Sequence, residues 1–394
     1  MRVEIGGTPS GPLAGIRVLD LSTIVSGPMC AMILGDLGAD VVKVESPGGD
    51  TARWLGGTEI PGMSGLFAQL NRNKRSVVLD FKSDAGLDAL RKLAREADVV
   101  VENFRAGVAD RIGVGYEVLS RVNPRIVYVA ISGYGTEGPY AELPAYDMVI
   151  QGMAGFAKIL GSKDEPKLIS NLVADKTSGL TATYSVMAAL YSREKTGRGQ
   201  KVDVPMIDAF AAFVWADAYA AQTWGGSPLA LQEQTEGAYR AWKTADGHVA
   251  LLIMEDRHYE AMCRMIERED LLGDERYATL AARMANGRDL FALLEAELQK
   301  RSTPELVERA HRFGVPLQAV NDADSFLADP QVRHNRTSLE LKDPAGKTMR
   351  VFRSPPRYSQ TPTNVRRTPP RLGQHTSEVL REAGLSHDEI SRLR

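Results

Sequence analysis

Little in this chain would lock it into a disulfide, metal or membrane framework. Only Cys30 and Cys263 occur in 394 residues, far apart and without metal-ligand spacing, which argues against a disulfide scaffold. The histidines at 248, 258, 311, 334, 375 and 387 are scattered, so a histidine-based metal cluster has no support. No apolar run approaches the roughly 18 residues of a membrane span. The segment MRVEIGGTPSGPLAG lacks the basic start and apolar stretch of a secretory signal, so a cytoplasmic protein is expected. One-signed charge is missing too. Lys and Arg number 48 against 50 Asp and Glu, a net charge of -2, which removes any bulk-charge case for nucleic acid or an acidic membrane surface.

Several catalytic fingerprints are also lacking. There is no G-x-x-x-x-G-K-[ST], no G-x-S-x-G elbow and no H-E-x-x-H. The first strand-to-helix turn, STIVSGPM, lacks G-x-G-x-x-G, and the near match from Gly113, GVGYEV, follows no convincing strand. Ordinary dehydrogenase, kinase, hydrolase and metalloprotease readings lose ground together.

What is present is alternation of strand and helix. Apolar runs at 16–21, 39–45, 76–81, 97–104 and 125–133 read as strands, and Leu87, Leu90, Leu93 and Ala94 share one helical face between two of them. This argues for an α/β fold, a largely parallel sheet covered by helices, with its site at the carboxyl ends of the strands. Residues 176–195 read as a helix with Leu180, Tyr184, Met187, Ala188 and Tyr191 on one face and Gly197 as its stop. After about Gly225 the texture changes. AYRAWKTADGHVALLI reads as a hairpin turning at Asp246-Gly247, VPLQAV as a strand, and 226–330 as a smaller α+β domain. The stretch SPPRYSQTPTNVRRTPPRLG reads as extended, and Ser386 to Glu389 as a capping box near the end.

Nine segments, in order and spanning nearly the whole chain, carry a resemblance: GIRVLDLSTIVSGPM, LGADVVKVESPGGD, NRNKRSVVLDFK, VVENFRAGVADRIG, ISGYGTEGPYAELPAYD, LVADKTSGLTATYSVMAAL, SREKTGRGQKVDVPMIDA, GVPLQAVNDADSFLADPQV and LGQHTSEVLREAGL. The set resembles the class III CoA-transferases, the CaiB/BaiF or carnitine and bile-acid CoA-transferase family. That family also contains formyl-CoA transferase and α-methylacyl-CoA racemase. The resemblance implies a Rossmann-like large CoA-binding domain over 1–225, completed by 331–394, and a homodimer of interlocked chains. It implies coenzyme A, carried as acyl-CoA, and a small carboxylic acid as substrates, with no metal.

The resemblance makes Asp175, in LVADKTSG, the nucleophile. By residue type and position alone Asp175 is an N-cap, and a carboxylate at a helix N-terminus is held ionised by dipole and amides. Ile24, Val25 and Ser26 match a loop that passes the pantetheine. Leu79, Lys82, Asn103, Phe104, Arg111 and Met206 match CoA-contacting positions. Read by themselves, Lys82 and Arg111 are surface cations, and Leu79 and Phe104 are core residues. In the formyl-CoA:oxalate branch a Gln stands at the place of Val25 and an Arg at that of Ser46. A glycine run of that branch has no match between Gly226 and Tyr239, so oxalate-specific chemistry is not expected. Tyr146 matches an acceptor-site Tyr of that branch, and it replaces the His of the racemase. A Tyr is a poor proton-abstracting base near neutrality, so transfer is favoured over racemisation. A non-catalytic CoA-binding protein would need the binding set without Asp175.

Overall fold

The computed structural model describes residues 6–57, 60–162, 164–225, 239–342 and 346–393. The chain divides into two compact units, one of Met1–Asp217 with His334–Arg394 and one of Ala218–Arg333.

The first unit is built on six parallel strands. They are β1 (Arg17–Asp20), β2 (Asp40–Glu45), β3 (Lys74–Val78), β4 (Val99–Glu102), β5 (Val127–Ser132) and β6 (Lys201–Pro205), in the spatial order β3-β2-β1-β4-β5-β6. β1 pairs in parallel with both β2 and β4. The order therefore reverses between them, and such a switch point opens a crevice at the carboxyl ends of the strands. β4 and β5 are buried along their whole length, as expected of strands covered on both faces. β6 escapes notice in the sequence because it is a half-exposed edge strand, with polar Lys201 and Asp203 alternating with Val202 and Val204. The helix Asp84–Arg95 buries Ala89, Leu90, Leu93 and Ala94 against one face, where Val379, Leu380 and Ile390 of the C-terminal helices join the same core. The return of residues 334–394 to this unit is thereby explained.

Across the sheet, α1 (Ser26–Asp36) packs beside the long helix Val173–Thr196, which ends at Gly197 with φ 74°. The face expected to be buried on that helix is not. Leu180, Tyr184, Met187 and Tyr191 stay exposed, while Ala174, Ser178, Gly179, Ala182, Thr183, Val186, Ala189 and Leu190 are covered. Small side chains let the two helices approach closely: a Cβ on Gly179 would lie 2.7 Å from the carbonyl oxygen of Ser26. Weighting only large apolar residues picks the wrong face.

The second unit holds an antiparallel sheet of Trp242–Lys243, His248–Leu251 and Leu317–Ala319 over a core that includes Met262, Leu290, Leu294 and Leu306. A hairpin of Ser338–Lys342 and Thr348–Phe352 belongs to the first unit and was not legible in advance. The Ser386–Glu389 capping box is present, both halves made. No helix among the described residues is long and apolar enough to cross a membrane.

Candidate active site

The crevice between β1 and β4 is closed by one side chain. Asn103, just past β4, accepts from the Thr23 amide at 2.8 Å and donates through Nδ2 to the Thr23 carbonyl at 2.8 Å and the Ser26 hydroxyl at 3.2 Å. The turn it grips is strained. Ile24 has φ 70°, a conformation costly for a β-branched residue. The Asp50 carboxylate, accepting from the Ile24 amide at 3.1 Å, helps to hold it there. Phe104 is held in the same way, its amide donating to Glu102 Oε2 at 2.6 Å.

Ser26, the first residue of α1, faces Gly179 in the second turn of the long helix. Asp175 lies one turn before Gly179, in the first turn of the long helix. It is not the N-cap that its residue type suggests. Leu172 is the cap position and Asp175 the third residue of the helix. The capping atom comes from elsewhere, since the Asp175 amide donates to Asp147 Oδ2 at 3.0 Å. Asp147 is itself buried and accepts from Gln151 Nε2 at 2.5 Å. Gln151 also bonds the carbonyls of Ile169 and Asn171 and the amide of Ile169, which fixes the entry to the helix. Nor is Asp175 held strongly ionised. Burial, and then the charge of Asp147, push its carboxyl up to about 6, with only a hydrogen bond from Ser26 pulling back. A helix N-terminus does not outweigh desolvation and a like charge.

The other expected site residues divide into groups. Ile24, Ser26, Asn103 and Phe104 gather at the switch point, and Asp175 lies in the first turn of the neighbouring long helix. Lys82 is exposed after β3, and Arg111 is exposed on the short helix Val108–Arg111 after β4. Neither has an ion pair among the described residues. Val25, Leu79 and Met206 are buried, Leu79 completely and within the apolar core. A side chain so placed offers a ligand nothing, so any contact from Leu79 is through its backbone. Tyr146 is 60% exposed, immediately before the helix Asp147–Met153. The stretch 226–238, where the glycine run was sought, lies outside the described residues.

The family model for CoA-transferase family III matches residues 13–376. The chain belongs to this family. Succinate–glutarate CoA-transferase of Agrobacterium fabrum is 34% identical over 94% of this chain and 95% of its own length. Succinyl-CoA:mesaconate CoA-transferase of Haloarcula marismortui is 33% identical over 95% and 97%. A solved CaiB/BaiF family protein from Brucella suis superposes with a TM-score of 0.83 at 34% identity, covering 95% of this chain and all of the other.

One part of this CoA-transferase escaped sequence reasoning. Beneath the Ser22–Ser26 turn lies a cluster of wholly buried charges. Lys74 Nζ reaches Asp20 Oδ2 at 2.8 Å, and Lys43 Nζ reaches Asp50 Oδ2 at 2.9 Å and the Ser22 carbonyl at 2.9 Å. Lys74 also donates to the carbonyl of Pro28 and to Asn71 Oδ1, both at 2.9 Å. Glu45 receives Arg53 through two bonds of 2.7 Å. Opposite charges overcome burial at Asp20, whose carboxyl is lowered, whereas burial wins at Lys74, which falls to about 8. The cluster props up the strained turn from below. Charged residues inside the runs VVKVE and NKRSVV were its only sequence signal.

Proposed function

We propose that Asp175 is the nucleophile of this CoA-transferase, with succinyl-CoA as donor and a short dicarboxylic acid as acceptor. The observation that carries the first part is a half-buried carboxylate in the first turn of the long helix, raised to about 6 by burial and by Asp147, with no cation pairing it among the described residues. Near neutrality it is mostly ionised, yet poorly stabilised, at a cost of roughly 3 kcal/mol for a shift of this size. Acylation removes its charge, and with it the desolvation and the repulsion from Asp147. The bare carboxylate is thus raised in energy relative to the covalent intermediate, which favours attack.

The steps follow. An Asp175 oxygen attacks the thioester carbonyl, the C–S bond breaks, and CoA thiolate leaves a mixed anhydride. The thiolate attacks the aspartyl carbonyl and expels the donor carboxylate, giving an aspartyl-CoA thioester. The acceptor carboxylate attacks that carbonyl, forming a new anhydride and releasing thiolate. Thiolate then takes the new acyl group, and Asp175 returns as carboxylate. Arg111 and Lys82 hold the nucleotide phosphates by charge-assisted hydrogen bonds, and Asn103, Phe104 and the Ile24–Ser26 turn bound the pantetheine path.

The donor is proposed because relatives are named for succinyl-CoA and for the succinate–glutarate pair. A matrix of acyl-CoA donors against free acids, read by mass spectrometry, tests it. Turnover confined to monocarboxylates would overturn the substrate class. We further propose a homodimer, because the exposed stripe of Leu180, Tyr184 and Tyr191, on average more than half accessible, suits burial against a second copy. Sedimentation as a monomer at micromolar concentration would refute it.

A further inference from the structure

We propose that Glu102 is a positioning residue for CoA: from the end of β4 its carboxylate grips the Phe104 amide and so sets the turn that Asn103 and Phe104 form beside the pantetheine path. The idea rests on those two residues bounding the CoA site, and it adds a residue that touches no ligand itself.

Glu102 is the last residue of β4 and is 5% exposed. Its Oε2 accepts from the Phe104 amide at 2.6 Å, short as charge-assisted bonds are. Asn103, between them, reaches towards the turn after β1, where it holds Thr23 and Ser26. Glu102 instead faces a small cavity on the β5 side, lined also by Tyr128, Ser132 and Lys201. The ring of Phe104 packs on the apolar core, so this residue is held both at its amide and at its ring.

The cavity separates positioning from direct contact. It measures about 30 Å³, room for a water or two and too little for a nucleotide base, so Glu102 acts through Phe104. No cation pairs with Glu102 among the described residues. Lys201, on the same cavity, pairs with Asp203 at 3.0 Å, and Arg105 is exposed. Asp110, from the helix Val108–Arg111, adds a like charge, and Tyr116 and Tyr128 bring only phenols. Asp20, on neighbouring β1, is taken up by Lys74. Burial therefore raises the Glu102 carboxyl to about 7, with the Phe104 amide as the chief counterweight. A neutral side chain would be easier to bury here. What the carboxylate adds is a strong acceptor for one amide, and a weaker one once it is protonated.

The test is titration calorimetry with CoA, from about pH 6.5 to about pH 8.5, on the wild type and Glu102→Gln. The side-chain amide still offers Phe104 an acceptor, but no charge. At the upper pH the variant should bind roughly five- to tenfold more weakly, as for a charge-assisted bond replaced by a neutral one. The gap should narrow towards the lower pH, because protonation makes the wild-type acceptor neutral too. Titration of the CoA phosphate and of Asp175 is common to both proteins and cancels in the ratio. A ratio that stays constant with pH, at one or at any other value, would overturn the proposal and leave Glu102 a structural residue. Should Glu102→Gln not fold, by circular dichroism and thermal melting, wild type with dephospho-CoA, which lacks the titrating 3′-phosphate, decides alone: affinity that is level across the range would overturn it. Phe104→Ala checks the reading underneath. Unchanged CoA affinity in that variant would remove the Asn103–Phe104 turn from the CoA site, whereas weakened affinity there beside a constant ratio for Glu102→Gln would sink Glu102 alone.

Discussion

Two groups of buried charge lie within one α/β unit, and they are organised in opposite ways. Under the Ser22–Ser26 turn, Asp20, Asp50 and Glu45 each meet a cation, and Asp20 is lowered as a result. At the amino end of the long helix, Asp147 and Asp175 face each other without one, and Asp175 rises to about 6. Paired charges hold backbone in place; an unpaired, repelled carboxylate stores reactivity. The first arrangement serves the second, because it sets the turn that presents Ser26.

The comparison breaks most completely at Asp175 itself. Asp175→Asn, whose amide is no nucleophile, should lower CoA transfer by at least about a thousandfold, the order lost when a nucleophile is removed. It should also raise Tm. The group's pKa is higher in the folded chain, so its ionised form destabilises the fold at full strength above pH about 6 and progressively less below it. Melting curves at pH 7.5 and 5 therefore should show the larger gain at 7.5. A fall in Tm at both values would mean that the side chain is structural.

The paired group should respond in the other direction. Lys74→Met leaves buried Asp20 with only the more distant Lys43, at 3.9 Å, and losing one partner of a buried pair costs up to about 3–5 kcal/mol. Urea unfolding should show it; an unchanged midpoint would mean that the cluster is structurally idle. Smaller again is the effect of the solvent-facing cations. Arg111→Ala or Lys82→Ala should raise KM for acyl-CoA about tenfold, from loss of a charge-assisted bond, with little change in KM for the acid. With an acyl-pantetheine donor, which has no nucleotide, the effect should vanish. If it persists, the phosphates lie elsewhere.

The subtlest test is Asp147→Asn. The amide oxygen keeps a cap for the Asp175 amide while the repulsion disappears, so the acid limb of kcat/KM should move down from about 6. It should move only part of the way towards 3.8, because burial, not Asp147, is the larger cause of the rise. An unmoved limb would remove Asp147 from the electrostatics of the site.

These contrasts explain what was legible in the chain. β5 reads directly from VYVAIS because both faces are covered, and the Ser386–Glu389 box because it is local. Asp175 was singled out by the family pattern; its own spacing pointed to an N-cap. That inference failed because the capping oxygen belongs to Asp147, 28 positions earlier, a distance across which periodicity carries nothing. Lys43 and Lys74 resembled interruptions in apolar strands. Only the strand order shows that they converge on Asp20.

The 80 positions between Thr23 and Asn103 also bear on the order of folding events. Contacts of such separation close late, since loop entropy is lost before they repay it. Until β4 docks beside β1, Asn103 cannot grip the Thr23–Ser26 turn, so the loop that abuts the long helix is completed only with the topology.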